Sequence, residues 1–354
     1  MYSLSDIKSI HLEATSMCQS RCPQCGRYSF DEEGNIEINK KITNRNGKSG
    51  LDQIYLSDFM KWFSPEFVSQ LEYLYMCGNF GEPILAKDCL KIFAYLRVHN
   101  PKMILHLNTN GGYRPSEWWT RLAKIGVGAT FGIDGLEDTH SLYRVNTNWK
   151  QILRNARSFI NAGGKARWQM LVFKHNEHQI KTCKRLSEKL GFESFICEHT
   201  TRFGQNTVEK WPVFNPKGEI THYLEPSSVS SSSYDDIQTN WEQSTQIKEV
   251  IDCSSVRDKE LYIAANGSVF PCCHMESCVS MYEFDDIEDY KKKINIYPNL
   301  HDQTLKEVFD SLYFRKIENT WTTDPISVCS KVCGKKTGTL VDNISNQRNI
   351  TSFK

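Results

Sequence analysis

Three cysteines near the N-terminus have the residue type and spacing of a metal or cluster site. Cys18, Cys22 and Cys25 form a C-x3-C-x2-C pattern directly after the strand-like run Ile10–Ala14. Thiolates at this spacing can converge from one loop onto one face of a cluster, whereas disulfides among them would leave one cysteine unpaired. Three ligands suit a [4Fe–4S] cluster that keeps one iron open to a small molecule. A zinc site is the alternative, with Cys77 or a histidine as the fourth ligand.

A second group of cysteines lies in the C-terminal third of the chain. Two pairs that are distant in the sequence, one of which brackets a hairpin with an Asn-Gly turn at 266–267, can close a site of four thiolates. A four-cysteine zinc ribbon is the structural alternative at similar spacing. The cysteines of the two pairs are Cys253, Cys272, Cys329 and Cys333.

Composition and charge exclude several classes of protein. Of 354 residues, 39% are hydrophobic and 12% aromatic, so the chain can bury a large core and is not globally disordered. Its 43 basic and 42 acidic residues argue against a nucleic-acid or membrane-surface partner. The sequence shows neither an apolar run long enough to span a bilayer nor a secretory signal. We therefore expect a cytoplasmic protein whose 13 cysteines mainly serve metal ligation rather than disulfides.

The elements that must position the cysteines alternate between strand-like and helix-like runs. The strand-like runs are Ile10–Ala14, Tyr73–Gly78, Ile104–Thr109, Ala129–Ile133, Trp168–Phe173 and Ser194–His199. The helical runs are Asp88–His99, Ser116–Ile125, Trp149–Ala162 and His178–Leu190. Successive βα units predict an α/β fold with a parallel sheet, and six strands are too few to close an eight-stranded barrel. We therefore predict a partial (β/α)6 barrel with a small C-terminal iron–sulfur subdomain.

Changes in composition predict the division of the chain into domains. Residues 1–225 carry the alternating pattern of the barrel, and residues 226–245 are rich in serine, as in a linker or mobile loop. Residues 246–335 contain the second cysteine group, and residues 336–354 form a polar tail.

The first cysteine group and three later strand ends together resemble the radical S-adenosylmethionine (SAM) enzymes, whose hallmark is C-x3-C-x2-C after the first strand. The second strand ends in CGNFGEP, similar to the family's Gly-Gly-Glu-Pro segment, which engages the SAM amino group. The third strand ends in NTNGG, and the fourth ends in GIDG followed by a Tyr-Arg pair, similar to the segment that binds the ribose and carboxylate of SAM. The resemblance assigns SAM binding to Gly81, Glu82, Pro83, Asn108, Asp134 and Arg144.

Three positions depart from the family's pattern. Gln24 stands where an aromatic residue is usual, Phe80 replaces the first glycine of Gly-Gly-Glu-Pro, and Gly132 replaces a serine that often begins the ribose segment. For Arg144, an ion pair at the surface is the alternative to a bond with the SAM carboxylate.

The second cysteine group resembles the Twitch subdomain, a shortened relative of the SPASM domain. Twitch carries one auxiliary [4Fe–4S] cluster and SPASM carries two, and the C-x2-C-x5-C-x3-C run of SPASM is missing here. The resemblance implies that Cys253, Cys272, Cys329 and Cys333 are the ligands, unless Cys273 or Cys278 replaces one of them. The whole chain would then hold two [4Fe–4S] clusters and SAM.

The resemblance implies reductive cleavage of SAM to a 5′-deoxyadenosyl radical, which abstracts a hydrogen atom from the substrate. The substrate is a small molecule or a peptide, and a flavodoxin or ferredoxin supplies the electron. The auxiliary cluster either transfers electrons or binds substrate. Two other functions are also compatible with the sequence. One is a zinc-stabilised, cysteine-rich binding protein without redox chemistry, and the other is an electron-transfer protein that does not cleave SAM.

Overall fold

The computed structural model describes residues 3–31, 36–200, 202–205, 209–229, 249–281 and 298–336. Its strands are β1 Ser9–Leu12, β2 Tyr28–Phe30, β3 Ile36–Ile38, β4 Tyr73–Met76, β5 Ile104–Thr109, β6 Val127–Gly132, β7 Ala166–Val172, β8 Ser194–His199, β9 Trp211–Phe214, β10 Ile220–Leu224, β11 Glu249–Ile251, β12 Glu260–Ile263, β13 Val269–Phe270 and β14 Gly334–Lys336.

The helices are mostly short, and the longer ones alternate with the strands of the N-terminal part. They are α1 Leu56–Trp62, α2 Pro65–Gln70, α3 Cys89–His99, α4 Ser116–Ile125, α5 His140–Tyr143, α6 Trp149–Asn161, α7 Ile180–Leu190, α8 Arg202–Gln205, α9 Ser254–Arg257, α10 Cys273–Met281, α11 Leu305–Asp310, α12 Tyr313–Thr320 and α13 Ser327–Cys333. Single 3-10 turns occupy Leu4–Asp6, Pro83–Leu85 and Glu177–Gln179.

The core of the fold is one eight-stranded sheet with the order β13-β12-β1-β4-β5-β6-β7-β8. The six predicted strands pair in parallel in sequence order, which confirms the predicted partial α/β barrel. The predicted Asn-Gly hairpin also forms, since β12 and β13 are antiparallel and Gly267 has a φ of +85°. In addition, β12 pairs in parallel with β1, so this hairpin extends the barrel sheet rather than lying apart from it.

The two faces of the sheet differ in polarity. Along β7, Trp168 and Met170 are buried on the face that the helices cover, whereas Arg167 and Gln169 point to the other face and are half-buried. The covered face is rich in aromatic contacts, such as Trp119 of α4 against Phe131 of β6 with ring centres 5.2 Å apart. Burial of this apolar face stabilises the sheet, and the inner face is left to polar side chains.

Parts of the predicted linker and tail lie outside the described residues, namely 230–245 and 337–354, as does the side chain of Cys278. The described start of the linker is ordered by hydrogen bonds, since Ser227 and Ser228 donate to the carboxylate of Glu177. None of the helices in the described ranges is long and apolar enough to cross a membrane.

Candidate functional site

The N-terminal cysteines lie in a loop that leaves the carboxyl end of β1. The turn between the last two closes through the N–H of Cys25, which donates to the Cys22 carbonyl at 3.0 Å. Arg27 Nη1 donates to the Cys18 carbonyl at 2.6 Å and fixes the start of the loop. The three thiols lie close enough to influence one another electrostatically. The structure therefore places the three predicted ligands in one loop, within electrostatic range of one another.

Burial changes the acidity of two of these thiols. It raises the pKa of Cys18 to about 12, with the Glu82 carboxylate adding to the rise. It raises the pKa of Cys22 to about 11 against the opposing effect of Arg144. Both thiols are therefore protonated at neutral pH in the metal-free protein, and a bound metal would have to displace their protons.

Two nitrogen donors point at the sulfurs of this loop. Asn110 Nδ2 donates to Cys18 Sγ at 3.8 Å, and Arg144 Nη1 donates to Cys22 Sγ at 3.9 Å. Thiolate sulfur carries negative charge, so both donors favour the deprotonated, ligating state. Asn110 is a functional candidate that the sequence prediction missed, because it named Asn108 on the same strand.

The predicted SAM residue Asn108 lies on the inner face of β5. Its side chain forms a hydrogen bond with His106, whose Nε2 lies 2.8 Å from Thr130 Oγ1. Burial lowers the pKa of His106 to about 3, so this histidine is neutral. The structure thus places Asn108 deeper in the sheet than Asn110, which follows the strand.

The segment after β4 passes close to the cysteine loop. A Cβ on Gly81 would lie 1.5 Å from the Thr15 carbonyl oxygen, so only glycine permits this approach of the two backbones. Glu13, which is buried, accepts from the N–H groups of Phe80 and Gly81 at 2.8 and 3.0 Å. Glu13 also accepts from Tyr262 at 2.8 Å and so ties this segment to β12.

Glu82 and Pro83 form the start of a 3-10 turn at the same sheet end. The buried carboxylate of Glu82 accepts from Thr109 Oγ1 and from the N–H of Asn110, both at 2.7 Å. Burial raises the pKa of Glu82 to about 7, although these hydrogen bonds oppose the rise. The carboxylate therefore joins the second and third predicted strand ends.

Asp134 and Arg144 form an ion pair in which the carboxylate is fully buried and the guanidinium is partly exposed. The Asp134 side chain is 0% exposed and that of Arg144 is 21% exposed, with Arg144 Nε 2.6 Å from Asp134 Oδ2. Asp134 Oδ1 accepts from the N–H of Leu171 at 2.7 Å, which fixes the carboxylate between β6 and β7. A Cβ on Gly132 would lie 2.8 Å from Arg144 Nη2. The guanidinium thus fills the space in which the family's usual serine would lie.

The cysteine loop contains buried polar atoms that the protein does not satisfy. Within the described residues, Gln19 Oε1, Gln24 Nε2 and Arg27 Nε are buried without a hydrogen-bond partner. Buried polar groups normally have partners. A loop that binds an additional polar group would leave such atoms without a partner inside the protein. The three atoms, in the same loop as the three thiols, therefore fit a cluster with a bound small molecule.

The second cysteine group also comes together in space. Cys253 and Cys333 are hydrogen-bonded to each other, and this contact raises the pKa of Cys253 and lowers that of Cys333 to about 6. Cys272 interacts electrostatically with Cys253, Cys329 and Cys333. The N–H of Asp252 donates to the Cys333 carbonyl at 2.9 Å, because β11 pairs with β14. Cys272 therefore lies within electrostatic range of the other three predicted ligands, and four thiols are the donor set of an iron–sulfur cluster. Among the described residues, no group of three or more Cys, His, Asp or Glu is already arranged to hold a single metal ion.

Two hydrogen bonds connect the segment after β4 to the helix that follows Cys272. Asn79 Nδ2 donates to Glu276 Oε2 at 2.6 Å and to the Cys273 carbonyl at 2.9 Å. Asn79 belongs to the segment after β4, and Cys273 directly follows the predicted ligand Cys272. Helix α10 is thus anchored beside the strand ends that carry the N-terminal site.

Comparisons with known proteins agree with this arrangement. Residues 253–334 match the family model of the SPASM iron–sulfur cluster-binding domain. No match to this chain exists among curated protein sequences. Among solved structures, native anSMEcpe with bound AdoMet has a TM-score of 0.52 at 15% identity over 87% of this chain and 82% of its own.

A second similar structure is Streptococcus suis SuiB bound to S-adenosylmethionine, with a TM-score of 0.52 at 12% identity over 90% of this chain. This chain spans 66% of the length of SuiB. SuiB bound to its precursor peptide SuiA has a TM-score of 0.54 at 13% identity over 88% of this chain and 67% of SuiB. The fold is that of radical SAM enzymes.

The predicted resemblance to radical SAM enzymes with a SPASM-like subdomain is thereby confirmed. The Twitch assignment, with its single auxiliary cluster, stays a prediction. Sequence reasoning missed Asn110 and Glu13 as functional residues. Asn110 stood within the NTNGG motif of the radical SAM pattern, and its place directly after the strand could have indicated a functional role. Glu13 carried no such signal, because its partners come from β12 and from the segment after β4.

Proposed function

We propose that this protein is a radical SAM enzyme. With SAM bound to an N-terminal cluster reduced by one electron, the cofactors supply a 5′-deoxyadenosyl radical that abstracts a hydrogen atom from the substrate. The chain's own residues hold the cluster, orient SAM and exclude water. The observation that carries the proposal is the set of three thiols at the sheet's carboxyl end, with two N–H donors aimed at their sulfurs.

The proposed SAM site uses the strand ends around these thiols. The segment at Gly81, Glu82 and Pro83 would hold the ammonium group. Because Glu82 already accepts two short hydrogen bonds, we assign it a second task, that of fixing the position of Asn110. Arg144 keeps its Nη2 free of the Asp134 contact, so this atom can bind the SAM carboxylate. Asn108 and Asp134 complete the proposed site from β5 and β6.

The proposed auxiliary site holds one [4Fe–4S] cluster on Cys253, Cys272, Cys329 and Cys333. Support comes from the SPASM match, from the hydrogen bond between Cys253 and Cys333, and from the electrostatic interactions of Cys272 with the other three thiols. This cluster would accept an electron from the substrate or bind the substrate directly. One chain would then hold two clusters.

The substrate is proposed to be a peptide or a polar small molecule that enters along the inner face of the sheet. On that face Gln169 Nε2 donates to Glu198 Oε2 at 2.6 Å, next to the half-buried Arg167. Two of the similar structures hold peptides, namely SuiB with its precursor peptide SuiA and anSMEcpe with the Kp18Cys peptide, which favours a peptide. The electron would come from a flavodoxin or ferredoxin, and we place the reaction in the cytoplasm.

Metal analysis decides between the proposal and a zinc-stabilised binding protein. Purified without oxygen and reconstituted, the protein should contain about eight iron and eight sulfide per chain, because each [4Fe–4S] cluster contributes four. After reduction with dithionite and addition of SAM, it should slowly release 5′-deoxyadenosine without its substrate. Zinc with little iron would favour the binding protein. About four iron would contradict the auxiliary cluster.

The role of Arg144 can be tested by SAM affinity. Arg144→Ala removes a charge-assisted contact and should weaken SAM binding by about ten- to a hundredfold, and Arg144→Lys should recover part of it. Equilibrium titration of SAM gives the affinity, and iron content shows that the cluster persists. An Ala variant that keeps its iron and binds SAM as tightly as the parent would remove Arg144 from the SAM site.

A further inference from the structure

The two N–H donors beside the N-terminal thiols are held in place by buried carboxylates. Asp134 orients Arg144 through a 2.6 Å contact to Nε, which leaves Nη1 directed at Cys22 Sγ. Glu82 holds the backbone of Asn110 through a 2.7 Å contact to its N–H. Each donor therefore has a fixed direction, and neither contact depends on a flexible surface side chain.

The orientation of the Asn110 amide follows from its neighbours. Its Oδ1 accepts from the N–H of Gly112 at 2.9 Å and from Gln19 Nε2 at 2.7 Å. A backbone N–H can only donate, so the oxygen must face Gly112 and the NH2 group must face Cys18. The same NH2 group donates to Ser20 Oγ at 3.0 Å. Asn110 thus presents a donor, and not an acceptor, to the sulfur.

We propose that Asn110 and Arg144 are positioning residues that raise the reduction potential of the N-terminal cluster by donating to the sulfurs of Cys18 and Cys22. This inference rests on the proposed function, since it needs a cluster on these cysteines. One-electron reduction adds a negative charge to the cluster and its sulfurs. N–H groups directed at those sulfurs stabilise the added charge, most strongly in a buried site.

Without such donors, the cluster would be harder to reduce. A buried cluster surrounded only by apolar groups would resist the extra negative charge. Arg144 brings a positive charge, but Asp134 balances it, so the buried pair adds a directed dipole rather than a net charge. Asn110 adds a neutral donor at Cys18. Together they make the cluster easier to reduce without changing the net charge of the site.

The test uses Asn110→Asp, which keeps the shape of the side chain and replaces the donor by an acceptor. Gln19 and Gly112 can still donate to the new carboxylate, and the Ser20 hydroxyl can turn to donate as well. The contact with Cys18 Sγ becomes repulsive, and the new carboxylate also adds charge near the buried carboxyl of Glu82, which accepts from the N–H of residue 110. We expect the ratio of reduced to oxidised cluster at a fixed potential to fall at least tenfold, which is 59 mV for a one-electron couple.

The measurement is a redox titration of the reconstituted protein, followed by electron paramagnetic resonance of the reduced cluster. The variant with Cys18, Cys22 and Cys25 all replaced by alanine shows the auxiliary signal alone and allows it to be subtracted. Asn148→Asp is the matched control, since it adds the same charge at the exposed N-cap of α6, where aspartate caps equally well. Arg144→Lys is the second test variant, and we expect a smaller shift in the same direction.

The outcomes separate the inference from the proposed function. A lower potential in Asn110→Asp, with none in Asn148→Asp, supports the inference. Equal potentials in the parent, Asn110→Asp and Arg144→Lys, all with full iron content, overturn it and leave the proposed function intact. If Asn110→Asp loses iron, the potential of Arg144→Lys is compared with that of the parent instead. A lower potential supports the inference, and an equal potential overturns it. A parent that binds no N-terminal cluster overturns both.

Discussion

Replacing Cys18, Cys22 and Cys25 together by alanine should abolish the release of 5′-deoxyadenosine. Without these thiols no iron is left open to SAM, and no other group of the described site can replace a reduced cluster. The reconstituted variant should retain about four iron per chain, because the four thiols of the second group do not depend on the first. Chromatography of the reaction with dithionite and SAM measures the product, and iron and sulfide assays measure the clusters.

The matched control replaces Cys89 and Cys183 by alanine or serine at positions outside both groups. Both are buried, Cys89 against Met76 and Cys183 on α7, so they serve as packing residues. We expect this variant to keep about eight iron and to form 5′-deoxyadenosine. Continued product formation by the triple alanine variant would contradict the proposed radical chemistry. The same conclusion would follow if the parent, with its iron complete, gave no product under any reductant.

A second large effect is expected for Gly81→Ala. The added Cβ would lie 1.5 Å from the Thr15 carbonyl oxygen and 2.9 Å from the Cα of Ser16, and a backbone atom cannot move aside as a side-chain tip can. We expect a loss of about 3 kcal/mol or more in the free energy of unfolding, since overpacking against backbone displaces whole segments. Urea unfolding of the metal-free protein measures this loss.

The effect of Gly81→Ala should extend to SAM binding. The displaced segment carries Glu82, which fixes Asn110, and Gly81 itself donates to Glu13. Gly163→Ala is the control, because its φ of +87° strains an alanine while no atom lies within 4 Å of the added Cβ. It should cost about 1 kcal/mol and leave SAM affinity unchanged. A Gly81→Ala variant as stable as the parent would show that the two backbones do not meet as the structure has them.

The sequence by itself determined the elements whose signals are local. Short β-rich runs with helical periods between them predicted six parallel strands, and Ile104–Thr109 and Ser194–His199 have the bounds that were predicted. The spacing of Cys18, Cys22 and Cys25 predicted a shared site, because a short loop cannot hold three ligands far apart. The Asn-Gly turn at 266–267 predicted its hairpin for the same reason, since a turn depends only on a few neighbouring residues.

Tertiary structure alone decided which distant residues meet. Tyr262 bonds to Glu13 across 249 positions of sequence, and the pairing of β12 with β1 follows from no pattern within either strand. Asn108 and Asn110 stand in the same NTNGG motif, and their side chains face different partners because Asn108 lies within the strand and Asn110 follows it. The residues of a strand determine which of its side chains face each side of the sheet. The strands that pair with it depend on how the whole chain packs.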